Sequence, residues 1–192
     1  MKRTFAVLAC VSALVLTACT SDSQLPTPTG KGGVRAINAI PGSPFVEFRI
    51  EERSLSGLTY KSSSTPVLYD NFAYNFNFDI DEPGADEQRR IATVPLQVEA
   101  DREHVFALTG TIDDPTVLTW TTDLRDWGGT ETVFEIRVAH LSVTLEEIDV
   151  FFQDPADPIT AGGHVARLAY GEIMDFADFE ADGTYKITIT AA

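Results

Sequence analysis

From Val34 onward the apolar positions recur every second residue rather than every 3.6. That is the period of a strand with one dry and one wet face. Over residues 45–51, Val46, Phe48 and Ile50 alternate with Glu47, Arg49 and Glu51. Over 74–80, Tyr74, Phe76, Phe78 and Ile80 alternate with Asn75, Asn77 and Asp79. The same alternation runs through 94–98, 134–138, 148–152 and 185–189, and further strands are expected at 55–60, 66–70, 104–112 and 117–122. Turn-forming residues separate these segments: Pro41-Gly42-Ser43-Pro44, Pro83-Gly84, Asp113-Asp114-Pro115, Trp127-Gly128-Gly129 and Asp182-Gly183,. Pro95 has no N–H to donate and marks its strand as an edge or a bulge. The best helical window, 166–179, is broken by Gly171. Short strands at this spacing predict an all-β chain, an immunoglobulin-like antiparallel β-sandwich. The Cys–Trp–Cys pin of immunoglobulin domains is absent, so the architecture alone follows.

The chain resembles itself at an offset of 102 residues. Val34-Arg35-Ala36-Ile37-Asn38 matches Ile136-Arg137-Val138-Ala139-His140, and Glu47–Ile50 matches Asp149–Phe152. With a few inserted residues, Leu58-Thr59-Tyr60 matches Leu168-Ala169-Tyr170, and Tyr74–Phe78 matches Tyr185–Ile189. Four matches in order predict tandem copies, at 33–124 and 133–192. The stretches VRAINAIPGSPFVEFRI, GLTY and ADREHVFALTGTIDDPTVLTW resemble the DUF4397 family, whose copies open on an Arg-x-x-Asn/His-Ala-x-Pro run. IRVAHLSVTLEEIDVFF, RLAYGEI and GTYKITIT resemble it too. The resemblance implies secreted or lipid-anchored bacterial proteins, often with tandem immunoglobulin-like copies, and no established activity. The first copy continues for three strands beyond its 74–80 segment, whereas the second reaches Ala192 where those strands would begin. Half a sandwich leaves an apolar face and a bare sheet edge. The second copy is therefore expected to be a fragment or a divergent short form, or to complete itself against the first copy or a partner. Strand addition at its unfinished sheet is an expected mode of binding.

The start of the chain reads as an address. Lys2 and Arg3 precede fourteen uncharged residues, 5–18, too few for a membrane-spanning helix, which takes about 20,. Leu16-Thr17-Ala18-Cys19 resembles the bacterial lipobox, which implies cleavage between Ala18 and Cys19 and acylation of Cys19. Residues 1–18 are then a lipoprotein signal. Residues 19–32, rich in Ser, Thr, Pro and Gly, form a flexible tether with an r.m.s. span of about 20 Å,. More than one acyl chain anchors a protein stably to a bilayer without spanning it. Thr20 stands where inner-membrane lipoproteins carry Asp, which favours the outer membrane.

Composition narrows the partners. Fourteen Lys and Arg against 29 Asp and Glu leave a net charge of −15, which removal of Lys2 and Arg3 makes more negative. This excludes a basic nucleic-acid footprint. The two cysteines support neither a disulfide framework nor a Cys-rich zinc site,. Asp79 with Asp81, and Asp154 with Asp157, are the candidate calcium ligands, since that ion takes loop carboxylates,. Asp79/Asp81/Glu82 and Glu146/Glu147/Asp149 also form acidic clusters, whose alternative reading is a solvated surface,. No nucleophile elbow or phosphate loop is present. His104, His140 and His164 lack metal-ligand spacing,. Asn38 and His140 share a repeat position, and each is expected to hydrogen-bond the backbone of a neighbouring loop. Trp120 sits in a strand pattern and is expected in the core, whereas Trp127 falls in a loop. The function expected is a lipid-anchored, non-enzymatic envelope protein that displays β-sandwich modules to a protein or polysaccharide. The alternative is a calcium-dependent glycan binder or small hydrolase using its acidic loops.

Overall fold

The computed structural model describes residues 26–82, 84–124, 132–160 and 162–192. Ala18, Cys19 and Trp127 lie outside them. The described residues form strands and no helix. In the first unit these are β1 (Lys31–Asn38), β2 (Val46–Ile50), β3 (Arg53–Leu58), β4 (Val67–Asp70), β5 (Ala73–Ile80), β6 (Arg89–Gln97), β7 (Arg102–Gly110) and β8 (Pro115–Asp123). Two four-stranded sheets, β4-β1-β7-β8 and β3-β2-β5-β6, pack as a sandwich. The chain changes sheet between β1 and β2, β3 and β4, β4 and β5, and β6 and β7, as immunoglobulin-type sandwiches do,. The alternating residues of β2 and β5 meet in the middle. Phe48 lies 5.2 Å from Phe78, and Phe76 lies 4.6 Å from Phe106, all fully buried.

Three details depart from the sequence reading. First, β1 and β7 pair in parallel, with Val34 opposite His104, so the sheets are not wholly antiparallel. No hairpin constrains that pair, because five strands separate them along the chain,. Second, β1 begins inside the stretch read as tether. Gly32 is buried, and a Cβ there would sit 2.2 Å from the Glu99 carbonyl oxygen. Only glycine allows so close an approach. Third, Trp120 is half-buried on the edge strand β8 and is not part of the core. Pro95 does lie on an edge strand, β6.

The second unit comprises β9 (Val133–Ile136), β10 (Glu147–Gln153), β11 (Ala166–Ala169), β12 (Ala177–Glu180) and β13 (Lys186–Ala191). They form a β12-β9 pair and a β11-β10-β13 sheet. The pairing repeats that of β1 to β5. β9 pairs β12 as β1 pairs β4, and β10 pairs β11 and β13 as β2 pairs β3 and β5. Even the register carries over. Val46 faces Leu58 and Ile80, while Ile148 faces Leu168 and Ala191. Lys61 N–H donates to the Asn38 carbonyl at 2.8 Å, and Gly171 N–H donates to the His140 carbonyl at 2.8 Å. This shared turn needs a left-handed residue, Lys61 at φ 67° and Gly171 at φ 86°. Glycine takes that conformation without the steric cost that lysine bears.

The units touch through β7 and the loops of the second unit. β7 is buried on both sides: Phe106 and Leu108 point into the sandwich, and Val105, Ala107 and Thr109 lie on its outer face. There the Thr109 hydroxyl donates to the Leu141 carbonyl at 3.1 Å and accepts from Tyr170 Oη at 3.3 Å. A strand buried on both faces accounts for the nearly unbroken apolar run of 104–108.

Candidate functional site

Asn38 ends β1, whereas His140 lies four residues beyond β9, next to the isolated bridge at Ala139; at matching repeat positions the two do the same work with different chemistry. Asn38 Oδ1 accepts the Ile40 N–H at 3.1 Å, while Nδ2 donates to Ser43 Oγ at 2.8 Å and to the Leu58 carbonyl at 3.3 Å. His140 Nδ1 accepts the Ser142 N–H at 3.3 Å, and Nε2 faces the Leu145 carbonyl at 3.1 Å. An accepting Nδ1 places the imidazole proton on Nε2, which then donates. Both side chains are buried and satisfied from within. They brace the loop that follows the strand.

The carboxylates proposed as calcium ligands are dispersed. Asp79 is buried on β5, where Oδ1 accepts from Arg90 Nε at 2.9 Å and Oδ2 lies 3.6 Å from Arg49 Nε. Asp81 is exposed beyond the end of that strand. Asp154 Oδ1 accepts the Ala156 N–H at 2.8 Å, and the Asp157 N–H donates to the Asp154 carbonyl at 3.0 Å, which closes an exposed turn. Among the described residues no three His, Cys, Asp or Glu side chains come together as a metal site. Asp149, on the outer face of β10, is held by Arg167 through Nε at 2.7 Å and Nη2 at 2.9 Å. That bidentate bond keeps its carboxyl below the usual carboxylate range,. His104 is buried, with Nε2 accepting the Glu99 N–H at 3.0 Å. Burial pushes its proton affinity down.

One feature escaped the sequence reading, and a second gives residues to the open face expected of the second copy. The first is a cleft of about 500 Å³ between the units, lined by Arg35, Glu103, Glu135, Arg137 and Phe176 among others. Arg35 and Arg137 are repeat equivalents, so the offset of 102 already paired them, though it gave no sign that they converge. Arg35 Nε lies 2.9 Å from Glu103 Oε1, and the Arg137 guanidinium sits 4.6 Å from the centre of the Phe176 ring. Burial, with Arg35 close by, lowers the proton affinity of Arg137 against the pull of Glu103. Carboxylates balance these cations, and the cleft reads as a seam between units.

The second is a bare sheet. Phe76 and Phe78 on β5 are fully buried, because β7 and its neighbours cover them. Their counterparts on β13 are Ile187 and Ile189, which are 43% and 51% exposed. The cross-strand neighbour of Ile189 on β10 fares differently: Val150 is buried in a cluster with Ile148 and Leu168, against which Val138, Phe152 and Met174 pack. Residues just after β9 and just before β12 thus shield the middle of the second unit and leave its β13 flank uncovered. β13 is also the last strand of its sheet among the described residues, so its outer backbone groups have no ladder partner there,. The signal for this surface was the repeat itself, which aligns β13 with β5.

A family model described as a domain of unknown function, DUF4397, matches residues 32–151, from β1 into β10. No curated protein matches the chain.

Proposed function

The chain belongs to the DUF4397 family, and from that premise we propose that it is a lipid-anchored protein of the cell envelope that acts by binding another protein rather than by catalysis. On this reading Cys19 carries the acyl chains, the segment after it is a tether, and the outer membrane holds the anchor. The second unit repeats the strand pairing of β1 to β5. One observation carries the binding role: Ile187 and Ile189 present a half-exposed apolar strip beside an open sheet edge, at positions that the first unit seals completely. Contiguous apolar surface next to unpaired backbone is the usual mark of a protein interface.

Hydrogen exchange of the β13 amides tests this. In intact envelopes those amides are expected to exchange about tenfold or more slowly than in the isolated chain. Equal rates overturn the binding role. Palmitate labelling that disappears in Cys19→Ser checks the anchor separately, and labelling that persists in that variant refutes it.

A further inference from the structure

We propose that a second cleft, at the junction of the two units, binds a small organic anion, with its carboxylate at Lys61 and its apolar body against Tyr60 and Val143. This site is separate from the β13 face and does not rest on the binding role above. The cleft has a volume of about 420 Å³, within the range of small-molecule sites,. It lies between the end of β1, the turn at 60–61 and the loop 141–144 of the second unit. Ile37, Leu141 and Val143 give it apolar walls, and Tyr60 adds a ring. Both walls are fixed before a ligand arrives. On the first unit Asn38 Oδ1 accepts the Ile40 N–H and Nδ2 donates to Ser43 Oγ. On the second, His140 bonds the Ser142 N–H and the Leu145 carbonyl. A site held by buried hydrogen bonds loses less freedom on binding.

The charge of the lining names the ligand. Acidic residues outnumber basic ones 29 to 14 in the chain, yet among the described residues none lines this cleft, and Lys61 is its one cation. Lys31, Arg49, Arg90 and Arg167 each hold a carboxylate. The Lys61 ammonium instead sits 5.0 Å from the centre of the Tyr60 ring, and no carboxylate among the described residues pairs with it. An unneutralised ammonium beside apolar walls favours a single carboxylate attached to an apolar body. Ser142 and Thr144 add a donor: their hydroxyls, 2.9 Å apart, share one hydrogen bond and leave one O–H for a ligand,.

The repeat shows that the turn itself does not need this lysine. Gly171 makes the same backbone bond at the equivalent place without a side chain, while Lys61 bears the cost of a φ of 67°,. Tyr170, the counterpart of Tyr60, commits its hydroxyl to Thr109, whereas the Tyr60 hydroxyl bonds nothing among the described residues. Backbone strain and two uncommitted side chains coincide at the cleft.

Phenylacetate serves as the probe, added to the full chain in neutral detergent and followed by NMR of the amides and of the Ile, Leu and Val methyls. It is expected to bind one to one and to shift Ile37, Leu141 and Val143. Phenylacetamide lacks the charge and acetate lacks the ring, and each is expected to bind at least about tenfold more weakly. Lys61→Gly copies Gly171, so the melting midpoint should not fall, while phenylacetate binding weakens about tenfold. Lys61→Gln removes the charge and keeps most of the side chain, and should weaken binding equally. Lys61→Arg keeps the charge and should bind within about threefold of the parent. The proposal is overturned if no saturable shift appears by about 20 mM, or if Lys61→Gly and Lys61→Gln bind as tightly as the parent. It is also overturned if phenylacetamide or acetate matches phenylacetate. Shifts confined to the cleft of Arg35 and Arg137 overturn it too, since they place the anion elsewhere.

Discussion

Truncation of Phe78 and of Ile189 to alanine separates a covered sheet from an uncovered one. The two residues occupy the same place in their units: Phe78 lies opposite Phe48 on β2, and Ile189 opposite Val150 on β10. Phe78 is fully buried, with its ring 5.2 Å from that of Phe48. Phe78→Ala leaves a closed cavity, and such changes cost about 3–5 kcal/mol. Ile189 is 51% exposed. Full burial of an isoleucine contributes about 1.5–3 kcal/mol, so the half that Ile189 buries contributes about 1 kcal/mol, and solvent fills the gap. Urea unfolding of both variants, followed by fluorescence and by circular dichroism, should therefore give losses that differ about threefold or more. A loss from Ile189→Ala as large as that from Phe78→Ala would refute the reasoning, because it would mean that something already covers the β13 flank in the isolated chain.

His140→Asn, which installs the residue found at position 38, should cost less than His140→Ala. The alanine leaves the Ser142 N–H and the Leu145 carbonyl without their partner and should lose about 1–2 kcal/mol in urea unfolding. His104 makes stability depend on pH. Burial depresses its folded proton affinity, so as pH falls through about 6.5 the unfolded chain takes up a proton that the folded chain refuses, and stability drops. His104→Gln should lessen the loss measured between about pH 7.5 and 5.5, and an identical loss in that variant would rule His104 out as its source. Gly32→Ala drives a methyl into the Glu99 carbonyl and should cost about 2 kcal/mol or more, read as a fall in melting midpoint,. Because arginines already hold Asp79, millimolar calcium should leave the melting midpoint of the chain unchanged, and a rise that Asp79→Asn abolishes would restore that carboxylate as a ligand,.

Much of the fold was legible because alternation reports which face of a strand seeks burial. β2, β5 and β10 begin and end within one residue of the periodic segments, and β13 within two. The window 166–179, rejected as a helix, holds β11 and β12 on either side of the turn at Gly171. Glycine made the start of β1 look like tether, since a residue with no side chain contributes nothing to an apolar pattern. Asp79 looked like a free loop carboxylate because cross-strand neighbours cannot be read along a chain. Arg49 and Arg90 reach it from β2 and β6, on either side of its own strand.

The sequence by itself determined the strands, their inward faces and the correspondence between the two units, because those rest on local alternation and on comparing the chain with itself. Tertiary structure decided the parallel seat of β7 beside β1, the convergence of Arg35 and Arg137, and which inward faces are covered. Phe76-Asn77-Phe78 and Ile187-Thr188-Ile189 carry the same pattern, yet one pair is sealed and the other half open. An apolar period shows that a face gains by leaving water. Whether another strand arrives to cover it depends on contacts distant along the chain, which no local period records.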